Sequence, residues 1–133
     1  MIANLFSRTA LQQHAEPAQR VLGVTALPPD SGELAQLLIA DPAPQVRIAA
    51  AQRCADLAAL AAAWNTETDA AVRLALAAAL GDVLAQSRDS ADAQALLAAD
   101  RCTDAIRIDV ARRTRDAALR RAAIAGMLDE AAL

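Results

Sequence analysis

Aromatic side chains are nearly missing from this 133-residue sequence, which has one tryptophan, one phenylalanine and no tyrosine. Valine and isoleucine are also scarce, while alanine and leucine are abundant, and that balance argues against a β-sheet. Lysine is absent, so all 13 basic residues are arginine. With only 4 glycines and 5 prolines, the chain is neither collagen-like nor a flexible linker. No uninterrupted apolar run approaches the roughly 18 residues of a membrane-spanning helix. Cys54, Cys102 and His14 are the only cysteines and histidine and fit no zinc-ligand spacing, so no metal or other cofactor is expected. Reduced thiols are the simple reading and point to a cytoplasmic protein. The segment Met1-Ile2-Ala3-Asn4-Leu5-Phe6-Ser7-Arg8 lacks the charged start and long apolar stretch of a secretory signal.

What is present is alanine, 38 residues of it, in a chain that is 56 % apolar and carries a net charge of −3. The apolar fraction excludes a disordered chain, and the length suits a single domain. A mildly acidic chain is no general binder of nucleic acids or membranes, although it can hold a local basic patch.

Aspartate supplies the punctuation. Asp56, Asp69, Asp82, Asp92, Asp104, Asp116 and Asp129 recur at steps of 13, 13, 10, 12, 12 and 13 residues. Aspartate is a favoured N-cap, and its charge suits the positive end of the helix dipole. The spacing predicts helices of about 8–12 residues starting near each cap. Apolar stripes at helical period agree: Leu57, Leu60, Ala61 and Trp64; Val72, Leu76, Ala79 and Leu80; Ile106 and Val110; Leu119, Ala123 and Met127. After the Asp41-Pro42-Ala43-Pro44 turn, Val46, Ala50 and Cys54 share a face, with Pro44 suited to a first helical turn. Helices are expected near 7–15, 18–26 and 32–40, with breaks at Leu27-Pro28-Pro29-Asp30 and Ser87-Arg88-Asp89-Ser90. Gly81 and Gly126 are expected near helix ends.

The unit repeats. Gln52-Arg53-Cys54-Ala55-Asp56 is echoed by Asp100-Arg101-Cys102-Thr103-Asp104 after 48 residues; Val72-Arg73 follows Val46-Arg47 by 26, and Leu119-Arg120 follows Val72-Arg73 by 47. Self-similarity near 24–26 residues marks a helical solenoid, in which short helices stack to make a continuous core. Asp41-Pro-Ala-Pro-Gln-Val46-Arg47-Ile-Ala-Ala and Asp69-Ala-Ala-Val72-Arg73-Leu-Ala-Leu resemble the D-x-x-V-R-x-x-A signature of HEAT-like repeats over residues 16–133. Trp64-Asn-Thr-Glu-Thr-Asp69 and Asp104-Ala-Ile-Arg107 resemble, more narrowly, the N-terminal region of bacterial proteins carrying domain of unknown function 349. The expected fold is therefore all-α, a right-handed α-α superhelix of about five short helix pairs. Residues 1–30 form an irregular cap region and 31–133 the regular repeats. The resemblance implies a bacterial cytosolic protein of unassigned activity, with this chain the N-terminal part of a longer one. Leu119, Ile124, Met127 and Leu128 would then lie on faces that a following helix covers, leaving an open end able to self-associate.

The charged residues divide between structure and binding. By the resemblance, Arg47 with Asp41 and Arg73 with Glu67 form a ladder that links turns, six residues separating each pair. Arg107, Arg112, Arg113, Arg115, Arg120 and Arg121 lie within 15 residues against Asp109 and Asp116 alone, a local charge of +4. This cluster, with Arg107, Arg112, Arg113, Arg120 and Arg121 foremost, reads either as a salt-bridged face or as a patch for an anionic partner. No aromatic residue is interleaved for base stacking. Trp64 reads as a core residue or as an interface residue. There is no Gly-rich phosphate loop, nucleophile elbow or Ser/His/Asp order. The expected function is that of a non-catalytic, protein-binding scaffold. The alternative is a nucleic-acid-binding module using residues 107–121.

Overall fold

A computed structural model describes residues 14–132, with side chains through residue 128. The described residues form helices and connecting turns, with no strand among them. The helices are α1 Pro17–Val24, α2 Gly32–Ala40, α3 Pro44–Arg53, α4 Leu57–Thr66, α5 Ala70–Gln86, α6 Ala91–Ala98, α7 Asp104–Arg113 and α8 Ala117–Ala132. The helix expected near 7–15 lies mostly outside the described residues, and its last two positions, His14 and Ala15, are not helical.

The caps explain where these helices begin. Asp56 Oδ1 accepts from Ala58 N and Ala59 N, Asp69 Oδ1 from Ala71 N and Val72 N, and Asp116 Oδ1 from Ala118 N and Leu119 N. Each carboxylate thus satisfies amide groups that have no partner inside the helix. Hydroxyls do the same work at Ser31, Ser90 and Thr103. Before α7 the cap is Thr103, and Asp104 is the first helical residue. Proline opens α1 and α3, where its missing N–H costs nothing.

Two expected starts are not starts. The helix α5 runs through Asp82 for 17 residues, and α8 runs through Asp129 for 16. Val72, Leu76, Leu80 and Leu84 form a buried stripe that continues unbroken past Asp82. A cap residue ends a helix only where the apolar register also ends, and here it does not. Asp82 instead pairs with Arg113, at 2.7 Å. The glycine expectation also needs correction. Gly81 and Gly126 lie inside helices, and no described glycine has a positive φ. What both positions require is space: a Cβ on Gly81 would overlap the Asp109 carboxylate, and one on Gly126 would lie 2.5 Å from Arg107 Nε.

The chain divides into two compact units, Met1–Leu76 and Ala77–Leu133. Within the first, α1 packs on α3, and α2 packs on both α3 and α4. Val24, Leu34, Leu38, Val46, Leu60 and Trp64 are buried there. The loop after α1 is pinned by Ala55 N, which donates to Pro29 O, and by Arg53 Nε, which donates to Leu27 O. Within the second unit, α8 packs on α6 and α7, enclosing Leu97, Ile106, Val110, Leu119 and Ala123. Leu119 is thus interior, whereas Ile124 and Leu128, expected with it on an open face, are exposed one helical turn apart.

Candidate functional site

Five arginines occupy the fourth residue of their helices: Arg20 in α1, Arg47 in α3, Arg73 in α5, Arg107 in α7 and Arg120 in α8. From that position a long side chain reaches back over the preceding turn. Arg20, Arg47, Arg73 and Arg120 each donate to a backbone carbonyl six residues earlier, on His14, Asp41, Glu67 and Thr114. Arg107 makes the equivalent reach to Leu97 O and Ala99 O. These carbonyls lie at or next to turns that follow helices or open the described chain, where no further helical amide is available. A guanidinium, with five donors in a planar fork, can satisfy several acceptors at once.

The expected ladder is present with a shifted register. Arg47 bonds the backbone carbonyl of Asp41, while its fork grips the carboxylate of Glu67, Nε to Oε2 at 2.9 Å and Nη2 to Oε1 at 3.2 Å. The Asp41 carboxylate belongs to Arg20, through Nε at 2.8 Å and Nη2 at 3.1 Å. Each acid therefore serves the arginine about one repeat upstream, while its own carbonyl serves the arginine downstream. Arg73 has no carboxylate of a described residue in its fork. Its Nη1 bonds the carbonyls of Glu67 and Trp64, and its guanidinium carbon lies 3.9 Å from the Trp64 ring centroid. Trp64 is 3 % exposed and lies beneath this cation, so it presents no face to a partner.

The residues 107–121 do not form one basic surface. Arg107 is 1 % exposed; besides its two carbonyls it bonds Asp104 at 3.1 Å. Its burial removes it from any anion patch. Arg120 is turned onto the carbonyls of Ala111 and Thr114. Arg113 is held between Asp82 and Asp109, which push its already high pKa higher. Arg112 and Arg121 are exposed, as are Arg88 and Arg115.

Arg88, Arg113 and Arg115 line an open cleft of about 610 Å³ with Ala85, Gln86, Ser87 and Asp116. Its wall is built by the end of α5, the loop 87–90 and the turn 114–116. Asp116 fixes the two loops together: Oδ2 accepts from Asp89 N at 3.0 Å while Oδ1 caps α8. Those amide donors hold its carboxyl below the ordinary carboxylate range, Asp89 N contributing most. Sequence reading missed Arg88 and left Arg115 secondary, because the bond that joins their loops spans 27 residues.

Cys54 and Cys102 are buried, and burial pushes the Cys54 thiol up. His14 is exposed; its Nδ1 accepts from Glu16 N. Among the described residues no three His, Cys, Asp or Glu side chains gather as a metal site, and no helix is long and apolar enough to cross a membrane. No known family, curated protein or solved structure matches the chain.

Proposed function

We propose that this chain is a non-catalytic interaction module that binds another protein in the cytoplasm, built as a right-handed superhelix of HEAT-like helix pairs. One observation carries the reading. The buried charged groups, Asp41 and Arg107, and the half-buried Arg20, Arg47, Glu67 and Arg73, are all engaged in holding turns. A reaction needs polar groups aimed at a substrate, whereas these are aimed at backbone and at one another. The packing of α1 on α3 and α2 on α4 supports a stacked-pair arrangement, as do the recurring arginine hooks. In the first unit, α1, α2 and α5 each hold a large apolar side chain in solvent, Leu22, Ile39 and Leu74, the last 75 % exposed. An exposed leucine costs little by itself, but it is the material from which an interface core is made.

The test is chemical cross-linking in extract of the native host, comparing the wild-type chain with Leu74→Glu. A protein cross-linked in stoichiometric yield to the first and lost from the second, with equal melting temperatures, is the expected result. Recovery of no such partner, or turnover of a small substrate by the purified chain, overturns the reading.

A further inference from the structure

We propose that the cleft of the second unit is a phosphate site, with Arg88 and Arg115 as its ligands and Arg113 as its fixed wall. This goes beyond the protein-binding reading and does not depend on it. Arg88 and Arg115 immediately precede Asp89 and Asp116, the two residues whose 3.0 Å bond joins the loops. The clamp therefore sets two arginines in the lining of one cleft, with a third beside them. Like charges brought together repel, and nothing in the apolar packing requires an arginine at either position. Arg113 carries its own counter-charges, Asp82 and Asp109, neither of which lines the cleft. Neither Arg88 nor Arg115 has an ion pair with a described residue. Among the described residues Asp116 is the one carboxylate on the wall, and three backbone amides already share its charge.

An oxyanion with several acceptor oxygens relieves the repulsion, because each planar fork can bind two of them. Phosphate fits that description, and about 610 Å³ of open space admits it with whatever it is attached to. The same chemistry is offered by a free phosphate and by the backbone of a nucleic acid. Among the described residues no aromatic lines the cleft, so it would read phosphate and not bases.

The test follows the arginine Nε–Hε signals by NMR while inorganic phosphate, or a short DNA duplex without terminal phosphates, is added to the full chain. Movement of the Arg88 and Arg115 signals at millimolar probe, with those of Arg20 and Arg47 unmoved, is the expected result. The double variant Arg88→Gln, Arg115→Gln should bind about tenfold more weakly or worse. Its melting temperature should be unchanged, since both side chains are exposed. Response to phosphate alone assigns the site to free phosphate; response to the duplex, weakening steeply with salt, assigns it to a nucleic-acid backbone. The proposal is overturned if neither probe moves these signals, if Arg112 and Arg121 respond equally, or if the double variant binds as well as wild type.

Discussion

Arg47 and Glu67 stand 20 residues apart and meet fork to fork, two nitrogens on two oxygens, while a third nitrogen of the same arginine holds the Asp41 carbonyl. One side chain thereby joins two turns of the chain, the one before its own helix and the one after α4. Both partners are largely buried, so solvent does little to weaken the pair. Replacement of Arg47 by alanine is expected to cost about 1–3 kcal/mol, because it strands a desolvated carboxylate and a carbonyl together. Lysine at 47 should recover only part of the loss, since an ammonium cannot present the fork. Urea unfolding of wild type, Arg47→Ala and Arg47→Lys measures both; equal stability of the lysine variant and wild type would show that charge alone matters.

Gly126 gives a sharper comparison. A glycine inside a helix ordinarily gains about 0.5–1 kcal/mol on replacement by alanine. At 126 the new methyl would meet Leu97 O at 2.8 Å as well as Arg107 Nε, and a backbone carbonyl in a packed interior has little room to yield. Gly126→Ala is therefore expected to lower the melting temperature. Gly81→Ala, which meets only the end of the half-exposed Asp109 side chain, should be far milder, and Gly32→Ala, with nothing within 4 Å, should be neutral or stabilising. Thermal melts of the three variants decide it.

Asp116 links stability to pH. Its carboxyl is depressed by backbone amides in the folded chain, so the folded state favours the ionised form. That contribution is present above the ordinary value of 3.8 and is lost as pH falls through the lower folded value. Asp116→Asn, whose amide nitrogen would face Asp89 N–H if its oxygen kept the cap, should be less stable at neutral pH. The gap between variant and wild type should close as the pH drops below 3.8, read from denaturant midpoints across an acid series.

The Cys54 thiol has the opposite sign. Burial raises it above 9.0, so folding favours the protonated form, and this contribution is intact below 9.0 and lost as pH rises through the higher folded value. Alkylation of Cys54 in the native chain at pH 8 is expected to be much slower than in urea. Equal rates in the two conditions would show that the thiol is open to solvent.

The helical class, most starts and both loops were legible because caps and apolar stripes are local signals. Asp56, Asp69 and Asp116 cap where their spacing said they would. Asp82 does not, because its helix is set by an apolar stripe that continues past Leu80 by a further turn, to Leu84. The ladder was legible as a pairing of arginine with acid, but not its register. Which repeat supplies the carboxylate depends on packing across 20 or 21 residues. A usable signal for the hooks was nonetheless present: Val46-Arg47, Val72-Arg73, Ile106-Arg107 and Leu119-Arg120 each place a buried aliphatic residue just before the hooking arginine. In the basic cluster, Arg113 is salt-bridged to Asp82 and Asp109, one of the two readings its sequence allows; burial, which sequence counts do not carry, takes Arg107 out of any exposed patch.

The six-residue reach of four of these hooks has a consequence for how the chain comes into being. Closing so short a loop costs little entropy, and the partner is backbone, available whatever the rest of the chain is doing. A turn of this kind can close once its own helix start has left the ribosome, before the 20 residues that bring Glu67 to Arg47 have been made. The long-range carboxylates then lock turns that already exist. Contacts of so short a sequence separation lower the contact order of the native fold, which favours fast folding.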